Sequence, residues 1–179
     1  ALIFVAKGLV LGQLLTVVFS VFYGIISVLF SYYGEMITYL FMTTPMAIVA
    51  AIEWIKNPYK DTQEVKVHKV TKKQLAVMWL LVLLVTVLFY FILKALNTAN
   101  LFFSTLSITT SFVASYLTFL RSPYYAIGYS ANDVVLIILW ILASVEDISY
   151  LPMVACFIMF LFNDLYGFYN WKRMQRKQA

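Results

Sequence analysis

Asn132 and Asp133 stand side by side in "SANDVVLIILWILASVE", residues 130–146, a stretch otherwise apolar enough to lie in lipid. A carboxylate in that setting costs several kcal/mol unless it is hydrated, paired or protonated, so a place on a transport pathway is the default expectation. Asp133 lies roughly 14 Å into its segment at the helical rise, near the bilayer midplane. No basic residue sits at that depth to pair with it. Its partners are then hydroxyls and amides, a proton, or a cationic ligand. Trp140 follows seven residues on, two turns along the same helix face. A carboxylate beside an aromatic ring suits a positively charged planar molecule, through charge attraction and stacking. The alternative is a structural aspartate, protonated or hydrogen-bonded to neighbouring helices.

Other polar residues fall at helical spacing inside apolar runs. Gln13, Thr16, Ser20, Tyr23 with Gly24, Ser27 and Ser31 recur at steps of three and four and form one stripe. Ser104, Ser107, Ser111, Ser115 and Thr118 form a second, which Thr109 and Thr110 broaden. Small hydroxyl residues also let helices pack closely with no ligand involved. Near the C-terminus Asn163, Tyr166 and Asn170 share one face, where amides can read a carboxamide or sugar hydroxyls. Helix-to-helix hydrogen bonds are the bland counterpart. Asp164, Gly167 and Trp171 share the adjoining face, and Trp171, like Trp54, has the position of an interfacial anchor beside cations. The candidate substrate-binding set is therefore Asp133, Asn132, Trp140, Asn163, Tyr166, Asn170, Tyr23, Gln13, Ser27, Ser107 and Ser111.

Catalysis finds little support. His68 is the single histidine and sits in a lysine-rich loop, and no Cys/His/carboxylate spacing suits a metal. Neither a catalytic residue, a metal nor a cofactor is expected. Asp133 and Asp164 as an intramembrane protease pair are a weaker reading than a transporter.

The elements that must position these groups follow from composition. Of 179 residues 63% are hydrophobic and 12% charged, more apolar surface than a soluble domain of this size can hide. The chain is expected to be an all-α integral membrane protein. Six apolar segments, at about 9–31, 35–56, 75–96, 100–121, 124–145 and 149–171, each approach the length needed to cross roughly 30 Å of hydrocarbon. "ALIFVAKG" at the start is too short to span and reads as the stub of a preceding helix. With the 57–74 loop on the cytoplasmic side, strict alternation puts twelve of the thirteen Lys and Arg residues inside and leaves Lys94 outside. The C-terminus is then cytoplasmic. The cations mark orientation, so a nucleic-acid partner is not expected; the partners are a small molecule and the bilayer, and a homo-oligomer is compatible with both. Cys156 has no second cysteine to pair with.

Residues 9–56 slide onto 126–173 at a constant offset of 117 with eight identities, among them Ser27 on Ser144, Met36 on Met153 and Trp54 on Trp171. Both copies run in the same direction across the membrane, which requires an odd helix between them; the apolar run at 75–96 fits that place. The expected architecture is two parallel three-helix repeats joined by a linker helix, with the first helix largely missing. Residues 1–56 form the first repeat, 57–99 the basic loop and linker helix, and 100–179 the second repeat and tail. Substrate sites in such folds lie near midplane between the halves.

The order "LIFVAKG", "YYGEM", "TTPMAIV", "EWIKN", "NDVVLIILW" and "NDLYGFYNWKR" resembles the PnuC family of bacterial vitamin B transporters over nearly the whole chain. The "YGEM" turn and the closing "YGFYNWKR" are its most specific parts. The resemblance implies a SWEET-like layout of three plus one plus three helices in the bacterial inner membrane. It also implies uptake of nicotinamide riboside by facilitated diffusion, with a cytoplasmic kinase trapping the arrived riboside. Sister lineages carry thiamine or riboflavin, and a proton-coupled nucleoside transporter using Asp133 is a further alternative.

Overall fold

The computed structural model describes residues 1–29 and 33–179; the turn expected near 32–34 falls in part outside them, and so does the side chain of Ser27. The chain folds into α1 (Leu2–Ala6), α2 (Val10–Leu29), α3 (Tyr33–Ile37), a π-helical turn (Thr38–Thr43), α4 (Thr44–Lys56), α5 (Lys72–Ala95), α6 (Leu101–Phe119), α7 (Tyr125–Glu146), a 3-10 turn (Ile148–Tyr150) and α8 (Leu151–Gln178). Among the described residues there is no β-strand, only the isolated bridges Leu9 to Glu64 and Pro58 to Val65. Among the described residues five helices are long and apolar enough to cross a membrane, the π turn with α4 counting as one, and α2 is a shorter apolar helix. Hydrocarbon cannot satisfy a bare peptide group, so long runs of this composition have no stable state but the helix.

Local chemistry sets the ends. Thr71 and Gln74 form a reciprocal capping box, so α5 begins at Lys72, a turn earlier than its apolar run. Gly8 takes φ +70 between α1 and α2, a left-handed conformation open to glycine at little cost. Pro45 has no N–H to continue the ladder behind it, and the turn before it widens. Thr44 Oγ1 donates to the Tyr39 carbonyl five residues back, at 2.8 Å.

Helix adjacency makes a ring: α1 lies against α2, α2 against α4, α4 against α6, α6 against α7, α7 against α8, and α8 returns to α1. α5 lies outside that ring, on α6, where the Thr86 and Thr109 hydroxyls meet at 2.8 Å. Close crossings use small residues: a Cβ on Gly128 would lie 2.9 Å from Ala114 Cα, which brings α6 and α7 nearly backbone to backbone. Large apolar side chains such as Phe22, Leu80 and Phe162 point outward, the pattern expected where lipid is the solvent.

One end of the ring is sealed. Trp54 and Trp171, read from sequence as interfacial anchors, are both fully buried, with ring centroids 5.4 Å apart. Their indole N–H groups found backbone carbonyls instead of headgroups, because each ring lies on the inward face of its helix. The segment after α4 runs across this end. Val65 N–H donates to Gly8 O, His68 N–H to Arg121 O, and Arg121 Nη1 to Lys66 O. Arg121 also pairs with Glu53 at 3.2 Å. Burial lowers the Arg121 pKa more than Glu53 raises it, so this ion pair offsets a desolvation cost rather than adding a large net gain.

Candidate functional site

Toward the other end, where α6 begins and α7 ends, the ring encloses a cavity of about 590 Å³, within the range of roughly 300–1,000 Å³ usual for small-molecule sites. Its first wall is aromatic. Tyr23 from α2 and Tyr39 from the π turn lie with centroids 4.4 Å apart, and Phe19 completes the group at 5.6 Å from Tyr23. The widened turn before Pro45 carries Tyr39 and Thr43 to this wall. The facing wall comes from α7, where Asn132, Leu136, Leu139 and Trp140 fall on one helical face. Trp140 is held by Tyr150, with ring centroids 5.5 Å apart. α6 supplies hydroxyls between the walls: Ser107 Oγ donates to Ser104 O at 2.8 Å, and Ser111 lines the cavity one turn further along. Lining residues also include Cys156 and Phe160 of α8.

Of the residues singled out in the sequence, Tyr23, Ser107, Ser111, Asn132 and Trp140 meet on this cavity. The others lie elsewhere. Asp133 is buried one residue round the helix from Asn132, and the Asp164 carboxyl stands within hydrogen-bonding reach of it. A hydrogen bond between two carboxyl groups needs a proton on one of them. Asn163 Nδ2 donates to Asp164 Oδ1 at 3.3 Å. Asn170 Nδ2 donates to Ala6 O at 2.9 Å, fastening α8 to α1 at the sealed end. Tyr166 is exposed on the outer face of α8. Gln13 is buried against a small void it shares with Thr16, Ser115, Thr118 and Tyr129, below the cavity. There the Ser115 and Tyr129 hydroxyls meet at 3.1 Å; between α2 and α4 those of Ser20 and Thr44 meet at 2.8 Å.

Phe19, Tyr39 and Thr43 were not among the sequence candidates. The signal for the last two was "YLFMTTP", where an aromatic and hydroxyls precede a proline inside a span. Nothing distinguished Phe19 from the many lipid-facing phenylalanines except its place one turn before Tyr23.

No group of three or more Cys, His, Asp or Glu among the described residues is placed to hold a metal ion. Membrane-length helices set in a ring, sealed at one end and hollow at the other, with aromatic and amide groups turned inward, define an α-helical membrane transporter. The chain belongs to the family described as nicotinamide mononucleotide transporter, whose profile matches residues 1–173. It is similar to the nicotinamide riboside transporter PnuC of Neisseria mucosa, 27% identical over 186 residues that cover 99% of this chain and 69% of that protein. A crystal structure of the vitamin B3 transporter PnuC superposes with a TM-score of 0.79 at 25% identity, over 99% of this chain and 78% of that one.

Proposed function

We propose that this chain carries nicotinamide riboside across the bacterial inner membrane by facilitated diffusion, with phosphorylation of the riboside after entry maintaining the gradient. The observation that carries this reading is the make-up of the cavity wall: aromatic rings, hydroxyls and one amide, with no lysine or arginine among the described lining residues. The family description names a mononucleotide, but a phosphate buried against that wall would have no cation to meet it. A riboside needs none. Its pyridinium is a flat cation suited to the faces of Tyr23, Tyr39 and Trp140, and its hydroxyls and carboxamide are within the repertoire of Asn132, Ser107 and Ser111.

Asp133 takes a structural part in this reading. It faces Asp164 rather than the cavity, so the cation is held by ring faces and not by an ion pair. The basic segments flank the sealed end, which the positive-inside pattern assigns to the cytoplasm, and the cavity then faces outward. Release inward would require the two three-helix sets to rock apart at Trp54 and Trp171.

Uptake of radiolabelled nicotinamide riboside, nicotinamide mononucleotide and thiamine into proteoliposomes tests the proposal. Saturable uptake of the riboside, stopping at equal concentrations on the two sides and indifferent to an imposed pH gradient, is expected. Uptake of thiamine or the mononucleotide alone would sink it.

A further inference from the structure

Asn132 carries the single side-chain amide on the cavity wall among the described lining residues, and one end of that amide is already occupied. Thr110 Oγ1, from α6, lies 2.9 Å from Asn132 Oδ1. The same hydroxyl lies 3.0 Å from the carbonyl of Leu106 and 3.0 Å from that of Ser107, one turn back on its own helix. All three neighbours are acceptors in that arrangement. A threonine hydroxyl has one proton to give and two lone pairs to receive with. Three acceptors around one proton would leave oxygen facing oxygen twice, at a half-buried contact between two helices.

The two ends of an asparagine amide have the same shape, and the hydrogen-bond network decides which is which. With the amide turned end for end, Asn132 Nδ2 donates to Thr110 Oγ1, and the hydroxyl proton goes to the helix carbonyls in the usual back-bond of a helical threonine. Every group then has a partner of the right kind. Thr110 itself is not on the cavity wall, so the end of the amide turned toward it is turned away from the cavity. The end left for the cavity is the carbonyl oxygen.

We infer that Thr110 is a positioning residue that fixes the Asn132 amide with its oxygen toward the cavity, so that the site selects a ligand carrying an N–H donor and rejects the same ligand carrying a carboxylate. This deepens the reading of the cavity as a nicotinamide riboside site and rests on it. Nicotinamide riboside and nicotinic acid riboside share the pyridinium and the ribose and differ only in the exocyclic group. A carboxamide offers its NH₂ to Asn132 Oδ1, whereas a carboxylate sets oxygen against oxygen. A plain tie between α6 and α7 would hold the helices together without favouring either ligand.

The test is competition of the two ribosides for the purified protein, in the wild type and in Thr110→Val and Thr110→Ser. Valine keeps the shape and removes the hydroxyl; serine restores it. Wild type and Thr110→Ser are expected to prefer the amide by at least about tenfold, as polar sites do when a ligand leaves a buried group unpaired. In Thr110→Val the amide can turn, and most of that preference is expected to vanish. The ratio is read within each sample, so it does not depend on how much of a variant folds. An unchanged ratio in Thr110→Val overturns the inference, and so does an equal loss in Thr110→Ser. A Thr110→Val protein that binds neither riboside marks the residue as structural and overturns it too. If the wild type binds neither, the riboside reading falls first and this inference with it, a result distinct from wild-type binding with no change in ratio.

Discussion

Trp54 and Trp171 lie ring against ring, and their indole N–H groups tie α4 to α6 and α8 to α1. Trp54 Nε1 of α4 donates to Thr118 O of α6 at 2.9 Å, and Trp171 Nε1 of α8 donates to Val5 O of α1 at 3.0 Å. Each indole thus crosses to a neighbouring helix, while the two rings lie against each other with their planes tilted by 53°.

Removing the N–H while keeping a ring separates the two parts of that contact. Thr118 O and Val5 O each accept a second bond, from Arg121 N–H and Gly8 N–H, so Trp54→Phe and Trp171→Phe leave no carbonyl orphaned. Each is expected to cost about 1 kcal/mol. Alanine at either position empties a fully buried site and should cost about 3–5 kcal/mol. Denaturant titration in detergent checks both; an alanine variant as stable as its phenylalanine counterpart would show that the ring contact holds nothing.

The aromatic wall should control affinity for a cation. Trp140→Ala and Tyr23→Ala remove ring faces worth about 0.5–2 kcal/mol each to a desolvated cation, a rise of roughly two- to thirtyfold in Kd by titration calorimetry. Trp140→Phe should retain much of the binding. Full affinity in both alanine variants would rule out ring faces as the cation's seat.

Asp133 and Asp164 make a different prediction. Asp133→Asn supplies an N–H donor to Asp164 without a shared proton, so the riboside Kd should change by no more than a few-fold. Asp133→Leu leaves the Asp164 carboxyl against an apolar surface and should destabilise the protein by about 1–3 kcal/mol. Loss of tenfold or more in affinity with Asp133→Asn would return the carboxylate to the role of counter-ion.

At the α6–α7 crossing, Gly128→Ala drives a methyl into the backbone of Ala114, since the clash is with Cα and the backbone N as well as with Cβ. A cost of about 1–3 kcal/mol is expected in thermal or denaturant unfolding. Because backbone is what the methyl meets, a second change of Ala114→Gly should rescue only part of it.

Arg121→Lys tests the strap across the sealed end. The guanidinium reaches Glu53 and the Lys66 carbonyl together, and an ammonium on a flexible stem holds only one of them well. Stability should fall by about 1–2 kcal/mol, and amide exchange in 64–68 should rise. Unchanged protection of 64–68 would mean that the backbone bonds alone hold the strap.

How much of this was readable beforehand varies with what each feature depends on. The segment expected at 124–145 is the helix Tyr125–Glu146, and that expected at 100–121 is Leu101–Phe119. The mid-span polar stripes pointed inward at Tyr23, Ser107 and Ser111, and so did Asn132 on its own helix, because a polar group that faces lipid has no partner at all. Asp133 beside Asn132 satisfied the same rule and still went elsewhere. Two adjacent residues differ by about 100° around a helix, and either one can face a cavity.

The sequence by itself determined the membrane class, the apolar helices and the family, since these rest on local composition and on order along the chain. Tertiary structure alone decided that Asn132 rather than Asp133 lines the cavity, and that Asp133 meets Asp164. It alone turned Trp54 and Trp171 from the membrane edge into the seal. Each depends on the rotation of one helix about its axis against its neighbours, and that rotation is set by close approaches such as Gly128 on Ala114, which no single segment contains.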